Sequence, residues 1–183
     1  MDILFIPCLT FLFSAAYYEM DILEKAGAAS MNTGQGLPRW FRLRGVIHVE
    51  NVDKFSGGNV HPDRVMAQWV LVLMISGTRT FRIYGEDYAV HGGEFFLLPP
   101  YVRHYGLQHD EHKAYFAHFQ AEGAETLPPT ELDNSHILLP LWGQVPLELP
   151  CFDLMEYAAC HRAPPFFNEN FLSSQIQAIL YQL

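Results

Sequence analysis

Hydrophobic positions follow two different periods along this chain. Residues 39–121 carry strand-like runs, and residues from 149 onward carry helix-like spacing. Phe41 to Glu50 reads as one strand and Val65 to Ile75 as a long central one. Along the central run, Met66, Gln68, Val70, Val72 and Met74 share one face, and Ala67, Trp69, Leu71, Leu73 and Ile75 the other. Between glycines then come Thr78 to Tyr84, Asp87 to His91, and the continuous apolar run Glu94-Phe95-Phe96-Leu97-Leu98. A Pro99-Pro100 corner, His104 and a closing strand over Ala114 to Phe119 complete the block. Short strands separated by Gly and Pro corners predict a small barrel folded from hairpins. Such a barrel has an interior that can hold one small ligand. The segment Asp53 to Asp63 reads as a loop at the barrel mouth.

Beyond the strands, residues 122–148 are Pro-rich and read as an irregular linker packing on the barrel. Cys151 to His161 reads as a helix entered through Pro150, a suitable first-turn residue, and ended by Pro164-Pro165. Asn168 is positioned to cap a second helix over Glu169 to Leu183, whose Leu172, Ile176, Ile179, Leu180 and Leu183 fall on one face. The chain stops inside that helix without a stop signal, so the expectation is a domain cut from a longer protein. Residues 1–38 read as an N-terminal arm, with a short helical pattern over Met20 to Ala29 and a loop over Asn32 to Pro38. The apolar run Ile3 to Phe13 is broken by Pro7 and too short to span a bilayer. It has the length of a signal-peptide core, but Asp2 stands where a basic residue belongs. A packed arm is the preferred reading, and Met20 and Met31 are available as alternative starts.

Composition narrows the function classes. Half of the 183 residues are hydrophobic and 14% are aromatic, enough for a large core. The net charge of −9 argues against gripping DNA or an anionic membrane through the chain's own surface. Three cysteines without metal-type spacing suggest a reducing cytoplasm and no disulfide framework. No nucleophile–base pairing, phosphate loop or carboxylate pair stands out, which is weak negative evidence because sequence proximity alone does not reveal a triad; the expectation is a non-enzyme without a cofactor.

The block Gly93-x5-Pro99-x-Tyr101-x2-His104-x3-Gln108 resembles the second cupin motif, with Tyr101 in place of its Gly and Gln108 in place of its Asn. The first cupin motif's metal ligands are missing: Val70 falls at its Glu position, and Val65 and Met66 lie near its His positions. A closer resemblance covers residues 45–183. It rests on Trp69 and Leu71 before Gly77, Phe81, Tyr84, Tyr88, Gly93, Leu98-Pro99-Pro100, His104-Tyr105, the Ala117-His118-Phe119 ending, Leu139-Pro140 and two helices. This set resembles the N-terminal effector-binding and dimerisation domain of AraC-type transcription regulators. The resemblance implies a mainly β, cupin-like (double-stranded β-helix or jelly-roll) barrel followed by two C-terminal α-helices. It divides the chain into an arm (1–38), the barrel (39–121), the linker (122–148) and a helical dimerisation segment (149–183). It also implies a cytoplasmic homodimer that reaches DNA only through a C-terminal helix-turn-helix domain outside this chain.

Candidate site residues follow from the same reading. Alignment to the cupin pattern turns Met66 and Gln68 inward, where Gln68 needs a partner that a ligand could supply. By resemblance, Arg64 and Tyr105 occupy positions that touch a bound sugar, and Phe116 offers a stacking face. His104 is a pocket hydrogen-bonder, a barrel-corner histidine or, in the alternative reading of a stand-alone metal-dependent cupin isomerase or dioxygenase, a metal ligand. His118 shares the Phe116 face, whereas His109 and His112 fall in a charged run typical of a solvated turn. The effector implied is a small metabolite, a sugar or related polar compound, and Leu172, Ile176, Ile179, Leu180 and Leu183 are the expected dimer seam.

Overall fold

The computed structural model describes residues 39–128, 136–163 and 167–183. The arm expected over residues 1–38 lies outside the described residues, as do Pro129, Pro164 and Pro165. Eight strands come first: β1 (Trp40–Asn59), β2 (Trp69–Ile83), β3 (Glu86–His91), β4 (Glu94–Leu98), β5 (His104–Gly106), β6 (Asp110–Thr126), β7 (Ile137–Pro140) and β8 (Trp142–Gln144). Two helices follow, α1 (Cys151–Cys160) and α2 (Glu169–Gln182). The fold class is therefore the mainly β barrel with two C-terminal helices.

The sheet runs β7-β1-β6-β2-β4-β8, with β3 and β5 paired to β2 alone. All strand pairs are antiparallel. β2 is the hinge of the barrel. Its first half pairs with β4 and β6, and its second half with β3 and β5. The change comes at a bulge between Met74 and Ser76, followed by Gly77 at φ +80. A side chain at Gly77 would run into the backbone of Glu111, so this corner needs glycine both for its conformation and for its room.

Period-two alternation decides what fills the barrel. Val70 pairs with His118 and Val72 with Phe116, which puts all four on one face. Phe81 stacks on Phe96 at 4.7 Å and on Tyr88 at 5.5 Å on the same side. The opposite face carries Trp69, Leu71 and Leu73, each at most 3% exposed. Trp69 meets the edge of Phe41 at 5.4 Å and donates its indole N–H to the Ala121 carbonyl. It is a core residue, and burying such a ring contributes about 1.5–3 kcal/mol.

Three expectations change. The polar run Asp53 to Asn59 is strand, not loop, because every residue from Asp53 to Asn59 pairs with β6 between Phe116 and Asp110. Val65 to Gln68 is not strand: no ladder forms here, and the backbone bonds are the isolated bridge of Arg64 to His104 and a single bond from Tyr101 N–H to the Met66 carbonyl. The segment 122–148 holds the end of β6 and both short strands β7 and β8. Those two strands close the sheet edges on β1 and β4, where a proline at a strand end costs no ladder bond.

The helices form as their spacing implies. Asn168 accepts a hydrogen bond from Phe171 N–H at 3.0 Å and caps α2. Ser173 Oγ accepts from Val49 N–H at 3.1 Å, fastening α2 to β1. Leu172, Ile176, Ile179 and Leu180 are 0–1% exposed within the single chain. They fill the chain's own core and are not available as a seam between two copies; Leu183 is half-buried. An amphipathic stripe looks the same in sequence whether its partner is a second copy or the chain's own barrel.

Candidate functional site: a polar cluster inside the barrel

Six ionisable side chains face the barrel interior: His61, Arg64, Arg79, His104, His112 and His118. Arg79, on the second half of β2, is 6% exposed. Its Nη1 donates to Asn59 Oδ1 and to His112 Nε2, and its Nη2 donates to His61 Nδ1 at 2.6 Å. Asp110 supplies a carboxylate nearby while accepting from the Thr80 N–H and hydroxyl, both at 2.6 Å. Phe55 stacks on His112 at 4.7 Å and seals that side.

Arg64 lies directly opposite His104 in an isolated antiparallel bridge, with backbone bonds of 3.1 Å in both directions. Directly opposed residues project to one face. His104 is fully buried, and its ring lies 5.1 Å from that of His61. Gly106 keeps His61 in place: its N–H donates to the His61 carbonyl at 2.9 Å, and any side chain there would strike the His61 backbone.

Burial is the leading cause of the lowered pKa of every interior histidine. His61 is pushed down to about 3, by burial first and then by the Arg79 and Arg64 charges. His104, His112 and His118 are lowered by burial and by a neighbouring guanidinium. The rings are therefore neutral, and their hydrogen bonds assign the tautomers. His104 Nδ1 donates to the Val102 carbonyl at 3.0 Å, so its Nε2 is a bare acceptor. His61 Nδ1 accepts from Arg79, so its Nε2 carries the proton and is a donor. Both Nε2 atoms, and Arg64 Nε, are buried without a hydrogen-bond partner.

The candidate residues separate into two places. Arg64, His104, His118 and Phe116 come together inside, where Phe116 and His118 have ring centroids 5.5 Å apart. Tyr105 does not join them. Its neighbour His104 points in, so Tyr105 points out, into a surface concavity of about 350 Å³ shared with Arg82, Tyr84 and Arg103. Gln68 has its partner already: it donates to Glu50 Oε2 at 2.7 Å, and Gln120 donates to Glu50 Oε1 at 2.8 Å. Met66 is half-buried, and its carbonyl accepts from Tyr101 N–H at 2.7 Å.

His112 corrects the solvated-turn reading. It is 8% exposed and sits on β6, while His109 is exposed. The amino-acid sequence alone does not point to Arg79, His61 or Asp110. The period-two phase of Arg79 with Phe81 and Ile83 was the available signal. His61 lay in a segment read as loop.

Residues 56–140 match the family model of the AraC-like ligand binding domain. This part of the chain is an AraC-like ligand binding domain. The domain so matched holds the whole interior cluster from His61 to His118. A solved structure from Ralstonia eutropha JMP134, provisionally named a mannose-6-phosphate isomerase, is similar to this chain at 13% identity, covering 42% of this chain and 83% of that one with a TM-score of 0.33. At that TM-score the likeness carries no functional weight. No curated protein matches the chain.

Proposed function

We propose that this chain is the effector-sensing part of an AraC-type transcription regulator, binding a small polar metabolite inside the barrel. One observation carries the reading beyond the family: three buried nitrogens, on His61, Arg64 and His104, have no hydrogen-bond partner. Unpaired buried polar groups cost about 1–3 kcal/mol each, and a ligand that supplies the missing partners recovers that free energy on binding. Regulation then requires unequal ligand affinity in two arrangements of the protein. DNA control by a helix-turn-helix partner domain, the cytoplasmic setting and the homodimer belong to the same proposal. The dimer seam must lie outside Leu172, Ile176, Ile179 and Leu180, because those side chains are already packed. Among the described residues no helix is long and apolar enough to cross a membrane.

The competing reading is a metal-dependent cupin enzyme. The close His61–His104 pair is the one feature that favours it. Two observations stand against it. His61 Nε2 carries a proton, and among the described residues no three His, Cys, Asp or Glu are grouped to hold one ion.

Calorimetric titration of the chain with sugars, sugar acids and small hydroxy acids tests the proposal. Saturable binding that is lost on substituting interior residues supports it. Stoichiometric metal in the purified protein, with no metabolite binding, would overturn it in favour of the enzyme.

A further inference from the structure

We propose that the ligand of this interior site is a small hydroxycarboxylate, with its carboxylate on Arg64 and His61 and its hydroxyl on His104. The inference rests on the effector-binding reading above and adds the chemical class of the effector.

Charge is the first observation. Arg64 is half-buried and, among the described residues, has no carboxylate partner. The candidate carboxylates are occupied elsewhere. Asp63 is held by Arg103 through bonds of 2.8 and 2.6 Å, and Glu50 is held by Gln68 and Gln120. Asp110 serves Thr80 and Gln108 and offsets Arg79. With four neutral histidines, the interior holds two guanidiniums, and the one carboxylate beside it, Asp110, offsets Arg79. A partly desolvated cation without a counter-ion favours an anionic ligand.

The second observation is the donor–acceptor pattern. Arg64 Nε–H and His61 Nε2–H are two donors, and His104 Nε2 is one acceptor. His104 adjoins both others, through its bridge to Arg64 and its ring contact with His61. A carboxylate accepts from the two donors but has no proton for His104. A hydroxyl beside the carboxylate supplies that proton. A neutral sugar satisfies the histidines and leaves the guanidinium charge unpaired. A simple carboxylate satisfies the donors and leaves His104 unpaired.

Glycolate, the smallest hydroxycarboxylate, is the probe, with ethylene glycol and acetate as matched controls and glucose as a neutral sugar. The 183-residue chain is titrated with each while the imidazole ¹⁵N and ¹H resonances of His61 and His104 are followed. Glycolate should shift both saturably, with affinity about tenfold or more above either control. Arg64→Gln should lose about tenfold or more of that affinity while its unfolding temperature matches the parent, and Arg64→Lys should retain part of it. Glucose or ethylene glycol binding as tightly as glycolate would overturn the hydroxycarboxylate class and leave the effector-binding reading standing. If none of the four moves either histidine, the hydroxycarboxylate class falls, while the effector-binding reading still rests on the calorimetric panel above.

Discussion

Arg79 is the strut of the polar interior, and its removal should be severe. Its guanidinium serves three acceptors, on Asn59, His61 and His112. In Arg79→Met the side-chain volume is roughly kept, but these acceptors lose their donor. His112 cannot answer by moving its proton, because Nδ1–H is committed to the Asp110 carbonyl at 3.3 Å. His61 can do so only by giving up its free Nε2–H. Removing one partner from a buried charged network costs about 3–5 kcal/mol. Relief of the guanidinium's own desolvation offsets part of that, which leaves about 3 kcal/mol. With a urea dependence of about 1–3 kcal/mol per molar, the unfolding midpoint should fall by about 1–3 M. Urea unfolding followed by far-UV circular dichroism measures this. The second-largest cause of the His61 shift also disappears, so its pKa should rise from about 3, as an NMR titration of the ring would show. A urea midpoint equal to or above the parent's would refute the network account.

Three further outcomes follow from the same structure. The interior histidines are neutral when folded and protonate near 6.5 when unfolded, so the unfolded state binds more protons and stability falls as pH drops below 6.5. For His61 the window runs from 6.5 down to about 3. His61 alone should cost about 1.4 kcal/mol per pH unit in that window, so urea midpoints that are level between about pH 7 and about pH 5 would contradict the assignment. Tyr101 sits at φ +62 with 76% of its surface exposed. Tyr101→Gly should relieve about 1–2 kcal/mol of left-handed strain against about 0.5–1 kcal/mol of chain entropy, a net gain of up to about 1.5 kcal/mol that raises the melting temperature by up to about 6 °C; a melting temperature below the parent's would count against the strain. Glu94 accepts from His91 N–H, Trp142 Nε1–H and Gln144 Nε2–H at 2.6, 3.1 and 2.8 Å, and holds β8 to β4. Glu94→Ala should lose about 3 kcal/mol in urea unfolding, and parent-like stability would show the edge strand to be held by packing alone.

Local chemistry made much of the fold legible. The Gly77 corner, the buried Glu94–Leu98 run, the Asn168 cap and the helical stripe each depend on neighbours a few residues apart, and each appears where the residues indicate. Tyr101 shows why the cupin motif carries glycine at that point: the backbone there is left-handed. What faces what depended on partners distant in sequence. The polar strand Asp53 to Asn59 became strand only because β6 pairs with it throughout. Leu172, Ile176, Ile179 and Leu180 were correctly apolar, but whether they met a second copy or β1 was a question of packing, which the spacing of one helix cannot answer.

The candidate site divides along the same line. The amino-acid sequence by itself determined a small antiparallel barrel, its two helices and a shared face for Phe116 and His118. Tertiary structure alone decided that Arg79 joins Asn59, His61 and His112, and that Arg64 stands opposite His104 while Tyr105 turns away. Alternation assigns side chains to faces within one strand. The choice of strand neighbours, the bulge at Met74 and the burial that keeps four histidines neutral arise only when the barrel closes.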